Sequence, residues 1–157
     1  MVGFQGKDEV LVLAADGFDE TGVVYTLARM RKAGISIAVV GLSSAMVTSS
    51  GGVNFHPDQT MDDVIANGST PRLVIISGGR RSKMALQVDP RVSKLLGRTI
   101  ASDGYTAVML ADEPIYPGDG FANWADSSRL ISQGELSVEM FAEQLIDLIE
   151  QLKGGGT

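Results

Sequence analysis

The sequence predicts an α/β domain with a flavodoxin-like, open and mostly parallel sheet carrying helices on both faces. Three observations lead there. Glu9-Val-Leu-Val-Leu-Ala-Ala15 and Leu73-Val-Ile-Ile76 are almost unbroken apolar runs. Such runs suit parallel strands, whose side chains of either parity are covered by helices. Between strand-like runs lie segments with helical spacing, such as Val23, Val24, Leu27 and Met30. The apolar runs stop abruptly in turns rich in glycine or acid, at Asp16-Gly17-Phe18-Asp19-Glu20 and Ser77-Gly78-Gly79.

In chain order, Met1 to Asp8 is a polar lead-in to the first strand, Glu9–Ala15. The helix after it ends at Lys32-Ala33-Gly34, a cation followed by a C-cap glycine. Ile35-Ser-Ile-Ala-Val-Val-Gly41 is the second strand and completes a βαβ unit, for which a right-handed crossover is expected. Ala45-Met-Val-Thr48 and Val53-Asn-Phe-His56 flank Ser49-Ser-Gly-Gly52 and read as a small hairpin or edge excursion. Asp58 to Ile65 suggests one short helix, and Leu73–Ile76 is the clearest buried strand. Asp89-Pro90 starts a helix, with an acid at the N-cap and proline at the first helical position, that closes at Gly97.

Thr99 to Ser102 then has strand character and runs into Asp103-Gly104, after which an apolar, helix-forming run reaches Ala111. Asp112 to Gly120 is a loop broken by proline and glycine, and Arg129-Leu-Ile-Ser132 is a last short strand ending at Gly134. Ser137 caps a final helix with Phe141, Leu145, Leu148, Ile149 and Leu152 on one face. With 157 residues the chain is read as one domain, 1–153, followed by a disordered tail, 154–157.

Composition narrows the function classes. Apolar content of 44% and charged content of 20% are those of an ordinary globular protein. No run approaches the length of a membrane span and no signal-peptide profile opens the chain, so a cytoplasmic protein without membrane contact is expected. The absence of cysteine excludes disulfides, thiolate metal sites and thiol catalysis. A net charge of −6 argues against nucleic acid as partner. Neither GxGxxG nor GxxxxGK[ST] occurs, the acids lack ligand spacing, and no cofactor or metal is expected.

In such sheets ligands bind outside the carboxyl ends of the strands. The candidate ligand-binding residues are therefore Asp16, Asp19, Glu20, Gly78, Gly79, Arg80, Asp103, Gly104 and Tyr105. Gly78-Gly79 lets the main chain approach a ligand, or simply permits a tight strand exit. Asp19 and Glu20 also suit a helix start without any catalytic role. The turn at Ser102-Asp103 would be a strand-to-helix elbow, the place where α/β enzymes carry a nucleophile. Asp16, Asp19, Glu20 and Asp103 in one cleft would repel each other unless a cation or proton relieved them. His56, the single histidine, is placed in the hairpin as a surface or packed residue.

Val10-Leu-Val-Leu-Ala-Ala-Asp-Gly-Phe-Asp-Glu20, Leu27-Ala-Arg-Met-Arg-Lys-Ala-Gly-Ile35 and Leu73-Val-Ile-Ile-Ser-Gly-Gly-Arg80 resemble the ThiJ/PfpI superfamily. So do Asp58-Gln-Thr-Met-Asp-Asp-Val64, Asp89-Pro-Arg-Val92 and Arg129-Leu-Ile-Ser-Gln-Gly134. That group has the class I glutamine amidotransferase-like fold and includes intracellular proteases and the parkinsonism-associated deglycase. The resemblance implies an elbow cysteine in an Ile-Ala-Ala-Ile-Cys-x-Gly-Pro pattern, a glutamate from the first helix bonded to it, and often a histidine beyond. Thr99 to Ala111, matched to that pattern, puts Asp103 in the cysteine's place, and a shift of one puts Ser102 or Gly104 there. The glutamate's place falls on Gly22, and the histidine has no counterpart.

The expectation is thus a member without the family's chemistry that binds a small molecule or a protein partner. The alternative is a hydrolase or lyase using Asp103 or Ser102, with His56 the one residue able to assist. The resemblance also implies a homo-oligomer, with Tyr116, Phe121 and Trp124 as contact residues or a local apolar cluster.

Overall fold

The computed structural model describes residues 8–110 and 127–154. Six parallel strands form one sheet in the order β5-β2-β1-β6-β7-β8. The central strands are β1 (Val10–Leu13), β2 (Ile37–Gly41), β6 (Leu73–Ile76) and β7 (Tyr105–Val108), with β5 (Gln59–Thr60) and β8 (Leu130–Ser132) at the edges. A separate antiparallel pair, β3 (Val47–Thr48) and β4 (Asn54–Phe55), confirms the hairpin reading. The helices are α1 (Glu20–Lys32), α2 (Met61–Ala66), α3 (Arg80–Gln87), α4 (Pro90–Ala101) and α5 (Val138–Gly154).

Strand parity explains the two cores. Val10, Val12 and Ala14 enter the cluster that includes Val23, Met30, Phe141 and Leu145 of α1 and α5. Leu11, Leu13 and Ala15 enter the other, with Met61, Leu86, Val92, Leu95 and Leu96 of α2, α3 and α4. Burial on both faces is why these strands carry no polar alternation. Among the described residues, no helix is long and apolar enough to cross a membrane.

Several expectations need correction. On α1, Val24 is 48% exposed, and Gly22 and Thr26 take the buried positions beside Val23, Leu27 and Met30. The helix expected over Asp58–Ile65 splits: Gln59–Thr60 is β5, and α2 begins at Met61 under a capping box between Thr60 and Asp63. Arg80–Gln87 forms α3, a helix that no cap or apolar stripe announces in the sequence.

The largest change concerns residues 97–111. Helix α4 does not close at Gly97, because its buried stripe of Val92, Leu95, Leu96 and Thr99 continues one turn further. Gly97 lies on the open side, where an added Cβ would meet nothing. Thr99–Ala101 is therefore helical and Ser102 is its C-cap. Asp103 follows with φ of 64°, a left-handed conformation that aspartate tolerates. Tyr105–Val108, expected to be helical, is a strand paired with β6 on one side and β8 on the other. The last helix runs to Gly154, one residue past the expected domain boundary. The loop over Asp112–Gly120 and the contact residues Tyr116, Phe121 and Trp124 lie outside the described residues.

Candidate functional site

At the carboxyl edge of the sheet the turn after β1 is held by the exit of β6 and by the hairpin. The N–H of Asp19 donates to the Gly78 carbonyl at 2.9 Å, joining the exits of β1 and β6. The Gly17 N–H donates to Thr48 and the Ser50 N–H to Phe18, both main-chain bonds of 2.8 Å to the hairpin. Asp16 Oδ1 accepts the Thr48 N–H at 3.0 Å, and Glu20 Oε2 accepts the Gly51 N–H at 3.2 Å. Phe18, fully buried, meets Phe55 edge-on with centroids 5.1 Å apart. Asp19 caps α1 by accepting the Gly22 N–H. Glu20 is held below the ordinary glutamate range, first by the Ser49 hydroxyl and then by main-chain N–H groups.

The strand order reverses between β1 and β6, so their exits form the switch point where such sheets bind ligands. Here that crevice is shut by main chain. Gly79 has φ of 105°, and a Cβ on it would collide with the Gly17 carbonyl oxygen and lie 3.1 Å from Phe18 Cα. Behind this seam the buried Ser77 Oγ donates to the Leu13 carbonyl at 2.8 Å, and Ser82 Oγ accepts the Ala15 N–H at 3.0 Å. The two glycines thus serve a close approach of one turn to another.

At the exit of β7, the N–H of Met109 donates to Ile76 and that of Leu110 to the Gln133 side chain at 2.7 Å. Buried Met109 reaches across to α1, its Cε 2.9 Å from where a Gly22 Cβ would stand. Asp103 stands between the end of α4 and the start of β7, so no strand enters an elbow there. Past the other end of β7, Met109 fills the space beside Gly22 with a thioether and no carboxylate.

Ser102, Asp103, Gly104 and Tyr105 belong to the opposite edge. The Tyr105 N–H donates to Arg72 at the amino end of β6, and a Cβ on Gly104 would meet the Pro71 carbonyl at 2.8 Å. Arg129 donates to the Asp103 carbonyl at 2.8 Å and lies 4.7 Å over the Tyr105 ring, locking the turn between α4 and β7. The expected cleft of four acids does not form, since Asp103 is separated from Asp16, Asp19 and Glu20 by the length of the strands. His56 is exposed on the hairpin, and Arg80 opens α3 at the surface. Among the described residues no group of three or more His, Asp or Glu is placed to hold a metal ion.

Sequence reasoning missed Met109 and Leu110, and with them Arg81, Leu42 and Met46 around an adjoining crevice. The signal for the first two was present: Asp103-Gly104 is a turn dipeptide, and four residues of mixed β-branched and aromatic character follow it.

This layered parallel sheet defines a flavodoxin-like α/β domain. The DJ-1/PfpI family model matches residues 8–111, and the chain belongs to that family. A DJ-1 superfamily protein from Salmonella typhimurium, solved as a cysteine-to-alanine mutant, is 19% identical over 90% of each chain, with a TM-score of 0.73. Oxidized Toxoplasma gondii DJ-1 is 20% identical over 94% of this chain and 95% of its own, also with a TM-score of 0.73. Drosophila melanogaster DJ-1beta is 19% identical over 90% of each, with a TM-score of 0.72. At these identities the structural likeness concerns the fold.

Proposed function

We propose that this DJ-1/PfpI-family domain is non-catalytic and acts by binding a small molecule. The observation that carries the reading is Gly22, where the superfamily resemblance implies a glutamate, packed under Met109 in a chain without cysteine. Glycine and a thioether supply neither nucleophile nor proton acceptor. The hydroxyl and carboxylate of Ser102 and Asp103 lie at the other end of the strand, out of reach of the ligand edge. The hydrolase or lyase alternative loses its residues for the same reason.

The test is direct. The purified protein, given dicarbonyl, glycated, amide and peptide substrates, should show turnover no higher than buffer. Turnover above buffer that co-purifies with the chain would overturn the proposal, and its loss on Asp103→Asn or Ser102→Ala would favour the hydrolase or lyase alternative. Self-association belongs to the same reading, supported by Val24 and Met140, which are 48% and 60% exposed on α1 and α5. Light scattering that gives a monomer at every concentration rejects that part.

A further inference from the structure

We propose that the crevice between the exits of β1 and β2 binds a small amphipathic carboxylate bearing a 2-hydroxy or 2-amino group. This deepens the binding reading above and rests on it.

The location follows from the seam between β1 and β6. With the switch point closed by Gly17 against Gly79, the open space at this part of the carboxyl edge lies one strand over. It is a cavity of about 310 Å³ bounded by the end of β1, the segment after β2, the approach to β3 and the first turns of α3. That volume is at the small end of ligand pockets, which run from roughly 300 to 1,000 Å³.

The walls divide by chemistry. Leu42, Met46, Val47 and Ala85 supply an apolar surface. Met46, 47% exposed, is a flexible thioether able to adapt to a branched chain. Three polar side chains, Asp16, Ser43 and Arg81, also line it. Arg81 is exposed and makes no ion pair among the described residues. Its Cβ packs on Gly17, 2.8 Å from where a Gly17 Cβ would stand, so its root is fixed and its guanidinium fork remains available. A planar fork of N–H donors matches a carboxylate in two parallel bonds.

Asp16 is oriented by the Thr48 N–H on Oδ1 and presents an acceptor to the ligand. Ser43 Oγ accepts the Ala45 N–H at 3.3 Å, which leaves its proton to donate. One cation, one anion and one hydroxyl around an apolar wall fit a ligand with a carboxylate, an adjacent hydrogen-bond donor and a short hydrocarbon chain. A simple fatty acid would engage Arg81 without Asp16, and a simple amine Asp16 without Arg81, so a ligand carrying both groups gains a contact that each of these lacks.

Calorimetric titration with 2-hydroxy-4-methylpentanoate and with leucine tests the site, with 4-methylpentanoate and 3-methylbutylamine as controls lacking the donor or the carboxylate. At least one of the first two should bind more tightly than both controls. Arg81→Gln, which keeps the Cβ and Cγ packed on Gly17, should weaken that binding about tenfold, the loss expected of one charge-assisted contact. Ala85→Leu, which fills the cavity, should remove it. Circular dichroism on both variants separates loss of binding from loss of fold. No heat from either acid at millimolar concentration, or binding indifferent to both substitutions, overturns the site. If the wild-type protein consumes a tested compound, the non-catalytic reading fails instead.

Discussion

Replacing Gly79 by alanine probes the seam at the switch point. Two costs add. At φ of 105° and ψ of 116° an L side chain is strained, which costs about 1–3 kcal/mol. The new methyl also presses on the Gly17 carbonyl oxygen and approaches Phe18 Cα at 3.1 Å, both main-chain atoms with no rotamer to yield. Overpacking of this kind costs about 1–3 kcal/mol more. The sum, roughly 2–6 kcal/mol, is a large share of the 5–15 kcal/mol that stabilises a typical domain. At about 2–4 °C per kcal/mol, a loss near 4 kcal/mol lowers Tm by roughly 8–16 °C. Gly34→Ala is the matched control: φ is +79°, yet nothing lies within 4 Å of its Cβ position, so only the backbone term, about 1–2 kcal/mol, applies. Urea unfolding of both variants gives the comparison. If Gly79→Ala costs no more than Gly34→Ala, the two turns are not in the contact described and the seam argument fails.

Asp89 caps α4 and binds Arg91, whose other partner is Asp62, and the Arg91 hydrogen bond holds its carboxyl below the ordinary 3.8. Asp89→Ala should cost about 1–2 kcal/mol at neutral pH. Because the folded-state value is depressed, that contribution is complete above pH 3.8 and shrinks as pH falls through the folded value. Denaturation curves whose separation does not narrow in acid would contradict the assignment. Met109, 1% exposed, should cost about 2–5 kcal/mol when cut to alanine. Gly22→Ala alone should cost no more than about 1–2 kcal/mol, since the helix gains from alanine while the flexible Met109 methyl must move and the capping Asp19 carboxylate, 3.1 Å from the new Cβ, must give slightly. The double variant should recover part of the Met109 loss by partly refilling the gap, and strict additivity would show that the two positions do not touch.

The sequence pattern reveals the buried strands because burial on both faces leaves an unbroken apolar run, as at Leu73–Ile76. It reveals the β1–α1 turn because Asp19 and Gly17 have local reasons to be there. Residues 99–108 read wrongly for a different reason. Thr99 and Ile100 favour strands locally, yet Thr99 completes the stripe that α4 buries and bonds its hydroxyl to the Leu95 carbonyl. Tyr105-Thr-Ala-Val is too short for periodicity to separate helix from strand, and pairing with β6 and β8 decides it. Because β7 starts at Tyr105, Asp103 and Leu110 stand beyond opposite ends of that strand. The closure between Gly17 and Gly79 depends on the spatial meeting of two turns some sixty residues apart, which no local pattern encodes.

The tether between the hairpin and the turn after β1 has a further consequence for sequence change. Two of its bonds, Gly17 N–H to Thr48 and Ser50 N–H to Phe18, run from main chain to main chain. They are indifferent to the side chains at Thr48 and Ser50, which face outward with Val53 and His56. The hairpin can therefore vary its exterior widely across descendants while the wall that its approach segment lends to the neighbouring crevice stays where it is.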